Sequence, residues 1–192
     1  QTMHLGWAEA LRASAFNVVS IVTTTGYAST DYQTWGPFAI GLFFILTFVG
    51  GCTGSTAGGI KIYRFQVLGR MAYTFLAKMV RPSRVMIVLY HGRRVEDDVA
   101  YAILAFMAVL LFSLAASTLA LTYFGIDLVT ALTASATCIT NVGPGLGAIV
   151  GPAGNFATIP DEAKYILSFM MILGRLEFFT VLVLLIPDFW ER

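Results

Sequence analysis

Charge is scarce in this sequence. Asp, Glu, Lys and Arg make up 12% of its 192 residues, where soluble domains carry about 25%. Hydrophobic residues account for 57%. A water-facing surface is hard to build from that balance, so the composition indicates a polytopic membrane protein. The net charge is only +1, which argues against the basic field of a nucleic-acid binder. The two cysteines, Cys52 and Cys138, have no spacing that suits a disulfide or a zinc site, and both read as small core residues. The two histidines, His4 and His91, are isolated and lie outside the apolar runs. A membrane-embedded hydrolase would therefore lack its catalytic set, and no organic cofactor is expected. No cleavable leader is visible either. The opening QTMHLGWAEALRAS is not a basic segment followed by an apolar one, and it has no initiator Met. The chain reads as the back part of a longer one.

Long apolar runs are present but uneven. Val99 to Phe124 carries no charge and would be about 39 Å long as a helix, enough to cross a bilayer with some tilt. Tyr165 to Pro187 is a second span, interrupted by Arg175 and Glu177. Phe38 to Val49 is apolar but only about 18 Å long as a helix, too short to cross alone. Glu9 to Val22 and Leu128 to Ile139 are shorter apolar stretches, each running into a polar turn: TTTGY at 23–27 and TNVGP at 140–144. Irregular backbone at membrane depth is tolerated only where protein buries it or where it lines a wet cavity.

The two half-length stretches form an internal repeat. With Gly26 placed on Gly143, Thr23 meets Thr140, Val22 meets Ile139 and Ser20 meets Thr137. Each unit reads as span, half-helix, turn, span, and the first lacks its opening span. Eight of the 12 Lys and Arg lie between 61 and 94 (Lys61, Arg64, Arg70, Lys78, Arg81, Arg84, Arg93 and Arg94). The positive-inside rule places that connection in the cytoplasm and both turns toward the outside. Trp7, Trp35 and Trp190 are candidates for the interfaces.

Backbone carbonyls and threonine hydroxyls in such turns can replace the water shell of a monovalent cation. Glycine lets carbonyls turn toward one axis, and the helix C-terminus entering each turn favours a cation nearby. The alternative is a pair of ordinary capped turns. Between the repeats lies GGCTGSTAGGIK, residues 50–61. A nucleotide-binding loop needs Lys directly after Gly, but here Ile60 intervenes and no strand precedes. Five glycines between 50 and 59 each cost a helix about 1 kcal/mol, so the inner helix of the first unit is expected to break there. Pairing Gly51 with Gly174 sets Arg175 opposite Cys52, on an inner helix expected to be intact. A guanidinium inside an apolar helix faces a cavity or a partner. Arg175 either points into an ion path or satisfies carbonyls in the bundle. Glu177 sits about 200° round the helix and reads as a partner for another helix. Lys61 is either a snorkelling anchor or part of a gate.

TTTGYAS resembles the Thr-Val-Gly-Tyr-Gly pattern of potassium-channel filters, with Ala28 where the second glycine would stand. Together with ITNVGPGLG and GGCTGSTAGGIKIYR, it resembles the Trk/Ktr/HKT superfamily of potassium transporters, in particular its bacterial TrkH-like branch. The resemblance implies four pore units in one chain around a single pore, of which this sequence looks like the last two. It implies a filter from Thr23, Thr24, Thr25, Gly26 and Tyr27 with Thr140, Asn141, Val142 and Gly143, holding K+ on backbone oxygens as the transported ion. It implies that Gly50, Gly51, Cys52, Thr53, Gly54, Ser55, Thr56, Ala57, Gly58 and Gly59, with Lys61, form an intramembrane gate beside Arg175, a barrier to cations. Its implied partners are membrane lipid, a second full-length chain in a homodimer, and a cytoplasmic ring of nucleotide-binding regulatory subunits. Its implied location is the bacterial inner membrane.

The expected architecture is an all-α membrane protein of repeated pore units. Residues 1–68 form a third unit, with a pore helix at about 8–22, a filter at 23–27 and a broken inner helix at 38–68. Residues 69–98 form a basic cytoplasmic connection. Residues 99–192 form a fourth unit, with a span at 99–124, a pore helix at 128–138, a filter at 139–145 and an inner helix at 164–187. The expected function is potassium uptake through a gated, channel-like pore, with weaker K+ over Na+ discrimination than in a symmetric filter. K+ symport with H+ or Na+ is the alternative, its cue being Glu177. A scaffold or membrane enzyme is a distant third.

Overall fold

The computed structural model describes residues 6–81, 87–90, 93–176, 178–184 and 186–190. His4, His91 and Glu177 lie outside the described residues. The described residues are mostly helical, joined by irregular segments, with one small antiparallel strand pair, β1 Leu89–Tyr90 and β2 Arg93–Arg94. The helices are α1 Trp7–Val22, α2 Pro37–Phe48, α3 Ile62–Val80, α4 Asp97–Tyr123, α5 Leu128–Thr140, α6 Asp161–Arg175 and α7 Phe178–Val183. Among the described residues, α4 alone is both long and apolar enough to cross a membrane by itself, at about 40 Å.

Glycine and proline punctuate the first half. Gly36 at φ 113 turns the chain, and Pro37 starts α2 at the position where a missing N–H costs nothing. At the other end of α2 the glycines begin and the helix stops at Phe48. The chain leaves as an excursion whose ends pair: Gly50 N–H donates to Ile60 O at 2.9 Å and Ile60 N–H to Phe48 O at 2.9 Å. Helix resumes only at Ile62. In the second half, Asp127 caps α5 by accepting from Thr130 N–H at 3.0 Å.

Two cores are interlocked. One gathers α1, α2 and the aromatic turn Tyr32–Trp35, where Tyr32 stacks on Phe43 at 3.9 Å. It also takes in Val142 and Leu146 from beyond α5. The other gathers α4, α5, α6 and Phe178, and takes in Ile60 from the glycine excursion. Each repeat thus lends apolar side chains to the other's core. Small residues let α4 and α5 approach closely: Ala131, Ala134 and Ser135 are fully buried, and Ser117 Oγ donates to Ser135 Oγ at 2.6 Å. The outer face of α4 leaves Leu111, Phe112 and Leu119 exposed, an apolar surface suited to lipid or to further protein.

Four expectations need correction. The inner helix over 164–187 is not continuous: α6 ends at Arg175 and α7 begins at Phe178. There α6 runs so close to the end of α5 that a Cβ on Gly174 would strike Ile139 O, while Phe178 turns in to meet Phe106 at 5.3 Å. The inner helix of the first unit does not end at 68, because α3 continues to Val80 as an amphipathic helix that keeps apolar residues between Arg64, Arg70 and Lys78. The second turn starts later than 139, since Ile139 and Thr140 are still helical. Cys52 is exposed rather than a core residue, because Gly58 and Ile60 form the buried side of the excursion.

Candidate ion-conduction site

The two turns match residue by residue. Thr24 and Asn141 both have left-handed backbone, at φ 55 and φ 58, and so do Gly26 and Gly143, at φ 79 and φ 115. Thr25 N–H donates to Ser20 O at 2.9 Å, and Val142 N–H donates to Thr137 O at 3.0 Å. Thr23 Oγ1 donates to Val19 O and Thr140 Oγ1 to Ala136 O, both at 2.7 Å. These two hydroxyls are therefore tied back to their own helices, and the turns offer mainly carbonyls. One difference separates the units. Thr137 Oγ1 accepts from Gly143 N–H at 2.9 Å, whereas Gly26 N–H reaches Ser20 O at 3.3 Å and the buried Ser20 hydroxyl has no partner among the described residues.

The turns also touch. A Cβ on Gly26 would strike Val142 O and come within 3.2 Å of Pro144 Cδ. Only glycine allows that approach at that φ. A cavity of about 510 Å³ is lined by Thr24, Thr25, Thr137, Asn141, Val142 and Gly143, with residues of α6. Tyr27 is exposed. The C-terminal ends of α1 and α5 deliver their partial negative charge to these turns.

The glycine excursion 50–59 docks on the turns from the other direction. Gly58 N–H donates to Thr24 Oγ1 at 3.0 Å. A Cβ on Gly58 would strike Thr140 O and stand 3.0 Å from the Thr140 carbonyl carbon. That hydrogen bond supports a β-branched residue in left-handed backbone, a conformation that is a genuine outlier for such a side chain. Two cations grip the excursion. Lys61 Nζ donates to Ser55 O at 2.7 Å and Ala57 O at 2.6 Å. Arg175 donates to Thr56 O at 2.6 Å across the repeats. Residues 54–59 line a second cleft of about 380 Å³ with Lys61, Arg64, Gly174 and Arg175. Among the described residues, none lines both this cleft and the first cavity. Arg64 lies over the Phe106 ring at 3.9 Å. Lys61, Arg64 and Arg175 thus all line one cleft.

The structure thus brings the candidate residues of both turns, the excursion, Lys61 and Arg175 into one cluster. Within the excursion, Cys52, Thr53 and Gly54 are exposed at its tip. Other supporting residues were not singled out in the sequence reading. Asn17, buried in α1, holds Ser29 and Thr30 (Nδ2 to Ser29 Oγ at 3.0 Å, Ser29 N–H to Oδ1 at 3.2 Å). Thr133 in α5 accepts from Leu146 N–H at 3.1 Å and donates to Leu146 O at 3.0 Å. Their signal was a polar residue within an apolar half-helix.

The TrkH family, described as cation transport protein, matches residues 4–192 of this sequence. The chain belongs to that family. It is 50% identical over 177 residues to the Trk system potassium uptake protein TrkI of Halomonas elongata, covering 92% of this chain and 36% of that protein. It is 35% identical over 177 residues to the Trk system potassium uptake protein TrkH of Escherichia coli K12, covering 92% of this chain and 36% of that protein. The crystal structure of the potassium transporter TrkH from Vibrio parahaemolyticus superposes with a TM-score of 0.89 at 34% identity, covering 97% of this chain and 39% of that one. The chain thus spans little more than a third of the length of these relatives. The all-α membrane architecture agrees with that structure. These relatives are named as transport proteins rather than enzymes, as the sequence reading expected.

Proposed function

We propose that this chain supplies parts of two of the four pore units of a potassium uptake protein. It lies in the bacterial inner membrane with the turns outward and the basic connection between α3 and α4 cytoplasmic. The observation that carries the reading is the docking of a glycine excursion, gripped by two cations, directly onto a pair of equivalent carbonyl-bearing turns. The relatives named as potassium uptake proteins support K+ as the ion.

In this reading K+ exchanges its water shell for the carbonyls at 23–27 and 140–143. The helix ends behind the turns help to hold it. Further inward the path is closed by 50–59. Gly58 seats this segment on Thr24, while Lys61 and Arg175 hold its carbonyls. Those carbonyls would otherwise welcome a cation, and the two side-chain cations take their place. Arg175 thereby both anchors the gate and repels a passing ion. Opening means releasing these contacts, under control of a cytoplasmic nucleotide-binding ring on the basic connection of a homodimer.

Two substitutions test this in the full-length transporter reconstituted in liposomes. Gly143→Ser places a side chain at φ 115 beside Gly26 and should lower the K+/Na+ permeability ratio. An unchanged ratio would sink the filter assignment. Arg175→Ala removes the anchor on Thr56 and should raise unstimulated Rb+ flux. A flux at or below the parent value would make the excursion a static kink.

A further inference from the structure

Gln33 makes a bond that the transport reading does not use. It sits in the short turn Tyr32–Trp35, which Tyr32 and Trp35 fasten to Phe43. Its amide joins the main chain of Gly147, 114 residues away, at two points. Gly147 N–H donates to Gln33 Oε1 at 2.6 Å, and Gln33 Nε2 donates to Gly147 O at 3.3 Å. This is the pattern of a neighbouring strand, reproduced by a side chain. The amide is held in that orientation by Asp31, whose Oδ1 accepts from Gln33 N–H at 3.0 Å and from Gln33 Nε2 at 3.3 Å. Gly151 closes over it: a Cβ there would lie 3.2 Å from Gln33 Cδ and closer still to Nε2.

The position of this contact gives it consequence. Each turn continues into an irregular exit segment, 27–31 in the first repeat and 143–147 in the second. Asn17 ties the first exit segment to α1, and Thr133 ties the second to α5. Those ties lie within one repeat. Gln33, anchored through Asp31 at the end of the first segment, bonds directly to the end of the second. Among the described residues it is the side chain that joins them. We propose that Gln33 is a specificity-determining positioning residue, a clasp that sets the separation of the two turns at their outer ends. This rests on the filter reading above. An ion is discriminated by the number and placement of carbonyls around it. Without the clasp the outer ends are held to each other by apolar packing alone, through Val142 and Leu146 in the first core, and a looser ring of carbonyls adapts to the smaller Na+.

The test uses the full-length transporter in liposomes, with K+ and Na+ permeation measured separately. Gln33→Met keeps the length of the side chain and removes both bonds. Gly151→Ala leaves Gln33 in place and presses on its amide and on Gly147 O alike, parting the same contact, so it carries the test if Gln33→Met does not fold. Each should lower the K+/Na+ permeability ratio by about three- to tenfold, the weight of one or two hydrogen bonds. A purely structural role would lower both ions' fluxes in parallel and leave the ratio at the parent value, and that result overturns the proposal. Gly143→Ser, measured alongside, separates the two claims. If it lowers the ratio and the clasp variants do not, the filter stands and the clasp falls. If it leaves the ratio unchanged, the filter reading fails and the clasp with it.

Discussion

Replacing Gly58 by alanine probes the seating of the gate with a single methyl group. The new Cβ would strike Thr140 O and stand 3.0 Å from the Thr140 carbonyl carbon. Carbon atoms in contact prefer about 3.5–4.0 Å, and a carbon against a carbonyl oxygen needs only slightly less. The excursion must therefore retreat by about 1 Å or more. Gly58 N–H now donates to Thr24 Oγ1 at 3.0 Å, and the retreat breaks this bond. Its loss is worth about 1 kcal/mol, or about a fivefold shift from docked to displaced gate. The overpacking adds about 1 kcal/mol or more in the same direction. The expected outcome is a rise in unstimulated Rb+ uptake on the order of 5- to 30-fold. The grips of Lys61 and Arg175 lie on Ser55, Thr56 and Ala57, so the excursion should stay folded. The assay is radioactive rubidium uptake into liposomes holding the full-length protein, with thermal unfolding measured in parallel. Uptake equal to the parent's at a parent-like Tm would refute the reasoning. So would a fall in uptake accompanied by a fall in Tm, which would make Gly58 a packing residue of the fold.

Other consequences follow from the same contacts. Lys61→Met removes two charge-assisted bonds from the excursion and should speed amide hydrogen exchange across 52–58 several-fold; exchange at the parent rate would leave Lys61 a solvated anchor. Asn17→Leu deprives Ser29 and Thr30 of their ties to α1 and should cost about 1–3 kcal/mol, read as a lower Tm. Asp127→Ala removes the cap of α5 and should cost about 1 kcal/mol. The Thr130 hydroxyl and then its N–H hold the Asp127 carboxyl below its ordinary value. A lowered carboxyl stabilises the fold fully above the unfolded value of about 4, and that contribution is lost as pH falls through the folded value. Tm should therefore drop more steeply below about pH 4 in the parent than in Asp127→Asn.

Much of this organisation could be read from residue order. The half-length helices ended near their expected places because an apolar run met glycine and threonine. Placing Gly26 on Gly143 in the sequence also aligned the backbone, since the left-handed positions Thr24 and Asn141 fall on one another. The break between α2 and α3 followed from glycine density. The break after Arg175 was not legible. Arg175 and Glu177 interrupt the apolar run there without fixing where a helix must stop, and the interruption accompanies the crossing of α5 at Gly174 and the inward turn of Phe178. The two possibilities for Lys61 could not be separated by sequence either, because a lysine's direction depends on which carbonyls lie within its reach.

Composition and periodicity determine what is local: which segments are apolar, where helices must stop, and which turns can carry left-handed backbone. They also made the family recognisable, because its motifs are short and contiguous. Only the tertiary structure could decide that Gly58 sits on Thr24, that Arg175 reaches Thr56, and that Gln33 bonds Gly147. Each of those contacts joins residues from 34 to 119 positions apart. Such pairs leave no spacing pattern in the chain, because they are set by how two packed repeats meet rather than by the period of either one.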